Sequence, residues 1–205
     1  MLDSANAAMK QVLGHGADHA KVVVSRSRGV DIEWRNGALE KVQERTQRSL
    51  SCEVYVDGRY SASSTNDLRP AALDGFLAEA VAMTRFLEPD PHRGLPDPAR
   101  YAGRADVDLE LCDASYGDLS SEARRQACAD LEQRVRDGAG DLPIVSVATS
   151  FADSHGQSVR LHSNGFEGER ESTTFSFSAM ITVKEPDGRR PMGWDYSAAR
   201  HRGDL

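Results

Sequence analysis

The side chains that could bind a metal are six histidines and three cysteines. No histidine begins an H-E-x-x-H or H-E-x-x-x-H sequence, which would place two zinc ligands and a general base on one helical face. His15 and His19 are four residues apart, but Gly14 and Gly16 break the helix that this spacing requires. We therefore predict a solvated helix-to-strand turn at these histidines, not a metal site.

The cysteines are Cys52, Cys112 and Cys128, an odd number without a C-x-x-C pair. This spacing encodes neither a zinc ribbon nor a redox motif. Cys52 falls on the apolar face of a predicted strand and Cys128 on that of a predicted helix. Both are therefore predicted to be small buried hydrophobic side chains.

Two other patterns could bind ions. The sequence from Ser163 to Gly168 is a glycine loop that could hold an anion, but no helix follows it, so a turn between strands is favoured. Glu167, Glu169 and Glu171 lie on one face of a predicted strand. They could bind a cation or face water, and water is favoured because a hard cation needs further converging ligands. The sequence also contains no P-loop, no G-x-G-x-x-G and no G-x-S-x-G motif.

The segment from Ala20 to Thr65 predicts consecutive antiparallel strands. Apolar residues alternate with polar ones at Leu50, Cys52, Val54 and Val56, as in a sheet with one buried face. Asn36-Gly37 and Asp57-Gly58 are two-residue signals for type I′ hairpins, because both central positions need positive φ. The predicted strands are Lys21–Arg26, Val30–Trp34, Leu39–Val42, Leu50–Val56 and Arg59–Ala62.

Three helices are predicted around these strands. The first covers residues 3–14, capped by Asp3 or Ser4. The second runs from Pro70 to Leu87, and its apolar stripe should pack on the strands. That stripe is Leu73, Phe76, Leu77, Ala80, Thr84 and Leu87. The third runs from Ser120 to Asp137, with Arg124 (by its stem), Cys128, Leu131 and Val135 facing inward.

The second half is predicted to continue as strands. These are Ile144–Asp153, Ser158–Ser163, Gly168–Val183 and Pro191–Ala199, with a turn at His155-Gly156. Residues 88–105 contain four prolines and predict a stiff linker or strap. We therefore predict an α+β fold of two two-layer domains, each an antiparallel meander with helix. The domains are residues 1–90 and 106–205, joined by a linker at 91–105.

The charge and hydropathy patterns limit the partners. The net charge is −7 without a Lys/Arg cluster, whereas a nucleic-acid surface needs a basic stripe. The N-terminus lacks a basic region followed by an apolar run, and no apolar stretch reaches 18 residues. We expect a soluble, cytoplasmic protein that binds neither nucleic acid nor membrane.

Several short segments occur in the order found in one known family. They are Gly16 to Val22, Arg35 to Val42, Val56 to Arg59, Ser63 to Leu68, Pro89 to Pro91 and His162 to Phe166. Together they resemble the TldD/PmbA family, once called modulators of DNA gyrase, and they are closer to the PmbA (TldE) branch. The resemblance covers nearly the whole chain.

The resemblance implies a role in proteolysis. Members form a two-subunit bacterial peptidase in which TldD carries a zinc-binding H-E-x-x-x-H helix and PmbA is a related subunit without it. The zinc belongs to a C-terminal half, so this chain corresponds to the N-terminal and central domains and is expected to bind no cofactor and to lack activity alone. Residues in the resembling segments are predicted to contact peptide or subunit: Asn36, Gly37, Arg59, Ser163, Asn164, Gly165 and Phe166.

Three functions remain open from the sequence. The first is a non-catalytic part of a metallopeptidase assembly, which pairs with a TldD-like subunit or with itself and forms a wall of the chamber for peptides or unfolded segments. The second is a stand-alone module that binds an extended partner at a sheet edge by strand addition. The third, modulation of gyrase, is disfavoured by the acidic charge balance.

Overall fold

A computed structural model describes residues 1–103 and 107–205 and shows an α+β fold. Residues 104–106, where the predicted linker ends and the second predicted domain begins, lie outside the described residues. The main elements, in chain order, are α1 (Leu2–Gly14), β1 (His19–Arg35), β2 (Ala38–Val56), β3 (Arg59–Thr65), α2 (Pro70–Thr84), α3 (Ser121–Gly138), β4 (Ile144–His162), β5 (Glu167–Val183) and β6 (Met192–Ala199).

The six strands form one sheet in the order β3-β2-β1-β4-β5-β6. β3 pairs antiparallel with only the last part of β2, from Leu50 opposite Thr65 to Val56 opposite Arg59. β6 pairs antiparallel with β5, and its outer side is the edge of the sheet in the part of the chain that the structure describes.

The strands are fewer and longer than the sequence predicts. The five short strands predicted between Lys21 and Ala62 are the three strands β1 to β3, and the turn predicted at His155-Gly156 lies inside β4. Residues 38–48 of β2 are exposed on both faces, which removes the alternation that marks a strand. Ion pairs between neighbouring strands, such as Arg28 with Glu44, accompany the pairing there.

The chain divides into two compact units, and the four long strands contribute to both. Unit 1 comprises residues 1–27, 47–108 and 156–171; unit 2 comprises residues 28–46, 109–155 and 172–205. The division of the chain into domains at the proline-rich segment stays a prediction. No helix in the described ranges 1–103 and 107–205 is long and apolar enough to cross a membrane.

Unit 1 has its core between the sheet and helices α1 and α2. The predicted alternation in β2 is confirmed, since Leu50, Cys52, Val54 and Val56 are all buried. α1 packs against α2, and α2 packs on β3. The predicted stripe of α2 is buried at Leu77, Ala80 and Thr84, while Leu73 and Phe76 are partly buried.

The ends of two helices differ from the prediction. α1 begins at Leu2 after Met1 without a side-chain cap, so the predicted caps Asp3 and Ser4 lie inside the helix. α2 ends at Thr84 because the following amides, including that of Leu87, bond to carbonyls three residues back and tighten the chain. Leu87 is therefore outside the stripe and 45% exposed.

Unit 2 packs α3 on one face of the sheet. Its core contains Val30, Ile32, Tyr116, Leu119, Cys128, Phe151 and Phe175. The hydroxyl of Ser120 caps α3 by accepting from the Ala123 N–H. The inward face of α3 is Arg124, Cys128 and Glu132, whereas the predicted Leu131 and Val135 are only half-buried.

Candidate functional site

The Asn36-Gly37 turn in unit 2 has the predicted geometry. The φ angles are 49° and 81°, which confirms the two positive-φ positions of the type I′ signal. The Asn36 Oδ1 accepts from the Val147 N–H at 3.0 Å and from the Arg136 Nη2 at 3.1 Å. The Gly37 N–H donates to the Glu132 carboxylate at 2.8 Å. The turn is exposed, but its polar groups fasten it to β4 and α3.

Glu132 anchors the Asn36-Gly37 turn, a role that the sequence did not predict. It is 4% exposed, and Arg136 donates to its Oε1 from Nε at 2.7 Å. A Glu–Arg pair at i and i+4 on a helix was the available signal, but such pairs normally lie on the solvated face. Its burial follows from the Gly37 amide, which only the folded chain brings within reach.

The sheet face of unit 2 opposite α3, which we call the open face, carries a groove of about 370 Å³. The Ser150 and Ser178 hydroxyls lie 2.7 Å apart on its floor. At its rim the Arg35 Nε donates to the Glu40 carboxylate at 2.9 Å. The lining residues are Glu33, Trp34, Arg35, Glu40, Ala148, Thr149, Ser150, Ser178, Ala179, Met180 and Trp194. The groove thus combines small polar residues with two tryptophans.

The edge strand β6 borders this open face. Trp194 lies opposite Met180 of β5, and Tyr196 lies opposite Ser178. Because alternate residues of a strand share a face, Met192, Trp194 and Tyr196 form one apolar row. Their exposed fractions are 59%, 73% and 60%. An edge that combines exposed backbone with such a row is the kind to which an extended chain can add as a strand.

The Ser163–Phe166 segment in unit 1 is the turn between β4 and β5, as predicted. The Ala20 N–H donates to the Ser163 Oγ at 3.1 Å, and the Ser163 N–H donates to the Ala20 carbonyl at 2.9 Å. Gly165 has φ 101°, and its N–H donates to the His162 carbonyl at 3.1 Å. Glycine suits this position because other residues are strained at that φ.

This turn holds the proline-rich segment, residues 88–103, which we call the strap. The Tyr101 hydroxyl lies 3.0 Å from the His162 Nδ1, 3.0 Å from the Asn164 Oδ1 and 3.1 Å from the Pro96 carbonyl oxygen. The Asn164 Nδ2 donates to the same Pro96 oxygen at 2.8 Å. The ring centroid of Phe166 lies 5.1 Å from the ring centroid of Tyr101 and 4.7 Å from that of His162.

Tyr101 and His162 were not among the predicted contact residues. Tyr101 is the only aromatic residue in a polar, proline-rich segment, which was a weak signal that the strap has an anchor. Burial lowers the pKa of His162 below its ordinary value, and the nearby charges of Lys21 and Arg160 lower it further. Both effects favour the neutral form of the imidazole.

Arg59, the remaining predicted contact residue, also makes contacts within unit 1. Its Nε donates to the Leu87 carbonyl at 2.9 Å and its Nη1 to the Asp57 carbonyl at 3.1 Å. Asp57 and Gly58 have φ angles of 49° and 72°, which confirms the second predicted hairpin turn. Arg59 thus ties that turn to the segment that follows α2. It lies in the same unit as the Ser163–Phe166 turn, whereas Asn36 and Gly37 belong to unit 2.

The environments of two cysteines confirm that they are apolar core residues. Burial raises the pKa of the Cys52 thiol to about 12 and that of Cys128 to about 11. Thiols with such pKa values are inert as nucleophiles and poor metal ligands at neutral pH.

The three carboxylates Glu167, Glu169 and Glu171 are exposed on β5.

Comparison with known proteins identifies the class of protein. Residues 20–84 match the family profile described as PmbA/TldA metallopeptidase domain 1, and residues 102–205 match its central domain. The chain is 27% identical over 210 residues to Metalloprotease PmbA of Escherichia coli O157:H7, covering 100% of this chain and 44% of that protein. Against the Metalloprotease PmbA homolog of Haemophilus influenzae it is 27% identical over 162 residues, covering 79% of this chain and 35% of that protein.

Comparison with solved structures is consistent with this class of protein. A protein from Bacteroides thetaiotaomicron that is described as a modulator of DNA gyrase superimposes with a TM-score of 0.92 at 34% identity, over 100% of this chain and 46% of that one. TldE from Thermococcus kodakarensis superimposes with a TM-score of 0.75 at 14% identity, over 96% and 43%, which shows the shared fold. The chain therefore belongs to the PmbA/TldD metallopeptidase family. It spans less than half the length of the curated relatives that it matches.

Within residues 1–103 and 107–205, the three α-helices present no pair of histidines. Helices α1, α2 and α3 contain no histidine, so none can present the two imidazoles of an H-E-x-x-x-H helix.

Proposed function

We propose that this chain is a non-catalytic part of a PmbA/TldD-type metallopeptidase assembly in the cytoplasm. In this role it supplies contacts to a TldD-like subunit, or to a second copy of itself, and a wall of the chamber that receives peptides or unfolded segments. Zinc would be held by the catalytic partner or by a C-terminal half. The matches to domain 1 and to the central domain of the family support this role.

The observation that carries the contact role is the β6 edge beside the open face. Met192, Trp194 and Tyr196 expose a row of large apolar side chains next to the floor of Ser150 and Ser178. An extended segment could pair with the β6 backbone and place its alternate side chains on this row. Of the residues predicted from the sequence, Asn36, Gly37, Arg59, Ser163, Asn164, Gly165 and Phe166 stay proposed contact positions. Because their polar groups mostly serve the fold, a partner would meet mainly their exposed surfaces.

Light scattering tests the assembly. The chain is measured alone and mixed with a TldD-type subunit from the same genome, and zinc is assayed on each peak. We expect a larger, zinc-containing complex that cleaves peptide. Stoichiometric zinc and peptide cleavage by this chain alone would overturn the proposal.

Substitution of the β6 row tests the surface. Trp194→Ser should weaken partner binding at least tenfold, since an exposed aromatic anchor typically contributes about 2 kcal/mol or more. Phe86→Ser is the matched control, because Phe86 is 83% exposed but lies in unit 1. Equal loss of binding in both variants would mean that binding follows general hydrophobic exposure and not β6.

A stand-alone interaction module is the second candidate, and the same β6 edge favours it. The two functions differ in their response to the partner subunit. If the chain binds extended peptides through Trp194 yet ignores every TldD-type subunit, the module is the better description. Gyrase modulation would require binding to DNA or to its enzymes, which the net charge of −7 disfavours.

A further inference from the structure

The anchor of the strap is a directed chain of hydrogen bonds. The Pro96 and Asn164 carbonyl oxygens can only accept, and the Tyr101 hydroxyl has one proton to donate. Because the Pro96 carbonyl already accepts from the Asn164 amide, the Tyr101 hydroxyl donates its proton to the Asn164 Oδ1 at 3.0 Å. The hydroxyl oxygen then accepts from His162, whose Nδ1 lies 3.0 Å away. The sequence of donors is thus His162 to Tyr101 to Asn164 to Pro96.

This arrangement fixes the proton of the neutral imidazole on Nδ1 and leaves Nε2 as an acceptor. The Nε2 atom is buried and has no hydrogen-bond partner among residues 1–103 and 107–205. Protonation of His162 would add a proton at Nε2, where no acceptor meets it.

The charged groups around the ring reinforce this preference. Lys21 on β1 and Arg160 on β4 disfavour a cationic imidazole, and Glu53 on β2 favours it. The Glu53 carboxylate is already paired with the Lys21 ammonium at 2.7 Å. On the strap side the ring meets Tyr101, a neutral phenol. Tyr101, the strap residue that bonds to the ring, therefore offers a cationic His162 no compensating charge.

We propose that His162, Tyr101 and Asn164 form an acid-sensitive latch that holds the strap on unit 1 at neutral pH and releases it when His162 is protonated. Release frees the Asn164 amide and uncovers more of Phe166, so that a larger part of the Ser163–Phe166 turn becomes accessible to a partner under acidic conditions. This latch is independent of the role proposed for β6.

The sign of the effect follows from linkage. The pKa of His162 is lowered when the strap is closed, so closure is fully favoured above the pKa of the released imidazole, ordinarily about 6.5. As the pH falls below about 6.5, the ratio of closed to open strap decreases about tenfold per pH unit until the pKa of the closed form is reached. Reciprocally, any change that opens the strap must raise the pKa of His162 towards about 6.5.

Nuclear magnetic resonance on the 205-residue chain tests both halves of this linkage. The His162 pKa is measured from the chemical shifts of its ring protons. Closure of the strap is measured from the contact between the Tyr101 and Phe166 rings. It is also measured from the protection against hydrogen exchange of the Arg100 amide, which donates to the Asp97 carbonyl at 2.9 Å. Tyr101→Ala should raise the His162 pKa towards about 6.5.

Two variants isolate the titrating group. His162→Gln removes the titration but keeps an amide donor, and we expect its strap protection to be independent of pH after correction for intrinsic exchange. His92→Gln removes an exposed histidine of the strap itself and should keep the wild-type pH slope. The latch is refuted if Tyr101→Ala leaves the His162 pKa unchanged, or if the pH slope persists in His162→Gln.

Discussion

Breaking the buried ion pair between Arg124 and Asp153 should strongly destabilise unit 2. The Arg124 Nε donates to the Asp153 Oδ2 at 2.5 Å and its Nη2 donates to Oδ1 at 3.0 Å, a bidentate pair. The side chains are 4% and 0% exposed. The third guanidinium nitrogen donates to the Leu119 carbonyl at 2.5 Å, which ties α3 to the segment before it.

The magnitude follows from what each substitution leaves behind. Arg124→Met keeps much of the side-chain volume but leaves Asp153 as a buried, unpaired carboxylate and Leu119 without its donor. Breaking one side of a buried pair typically costs about 3–5 kcal/mol, and we expect about 4 kcal/mol for this pair. The double variant Arg124→Met/Asp153→Leu removes both charges and should recover most of that loss. Total stabilities of ~5–15 kcal/mol make such a change large.

Urea denaturation monitored by circular dichroism measures these free energies of unfolding. The control is Arg28→Met, which breaks the pair of Arg28 with Glu44, whose side chains are 44% and 55% exposed. That change should cost less than about 1 kcal/mol because solvent screens an exposed pair. The reasoning fails if Arg124→Met lies within about 1 kcal/mol of the wild type, or if the double variant is destabilised by the sum of the two single changes.

Three further predictions concern turns, helices and the edge strand. Gly75→Ala should stabilise unit 1 by about 0.5–1 kcal/mol, since Gly75 lies inside α2 and an added Cβ meets nothing within 4 Å. Gly58→Ala should destabilise unit 1 by about 1 kcal/mol, because the φ of 72° at this position strains a residue with a Cβ. Thermal unfolding of the two variants shows whether each change has the expected sign. Asn36→Ala should cost about 1–3 kcal/mol by leaving the Val147 N–H without its acceptor, and an unchanged melting temperature would contradict this. Tyr196→Ser should leave the stability within about 0.5 kcal/mol, because the side chain is 60% exposed, while reducing partner binding in the same assay as Trp194→Ser.

Local sequence chemistry predicted the features that depend on few neighbours. The turns at Asn36-Gly37 and Asp57-Gly58 follow from residues that tolerate positive φ. The buried row from Leu50 to Val56 follows from the two-residue period of a strand. Both signals are complete within a short window, so no knowledge of the rest of the chain was needed.

The length of the strands could not be predicted in the same way. β2 continues through residues 38–48, which are exposed on both faces. They include charged residues at positions where a strand normally alternates apolar with polar side chains. These residues are extended because they pair with β1, and the pairing is accompanied by ion pairs such as that of Lys41 with Glu33 at 3.0 Å. The hydrophobic pattern of a sequence does not reveal a neighbouring strand that interacts only through its backbone and its charged side chains.

The candidate contact residues show the same limit. The sequence singled out Asn164 and Phe166 from the resemblance, but it gave no indication that they hold the strap through Tyr101 and His162. The distance along the chain between Tyr101 and Asn164 is 63 residues, so their contact depends on the tertiary fold. Nor did the sequence indicate that the apolar row of β6 would lie at a sheet edge.

The sequence by itself determined the fold class, the family and the two hairpin turns, because these depend on residue types, local backbone preferences and the order of short motifs. Tertiary structure alone decided which polar side chains are buried. Glu132 and Asp153 are charged residues that a sequence pattern assigns to solvent, and Arg124 was predicted to face inward only by its stem. All three are buried because each meets a partner from another part of unit 2. A buried charge is tolerated only when such partners compensate its lost hydration, and the partners become neighbours only when the chain has folded.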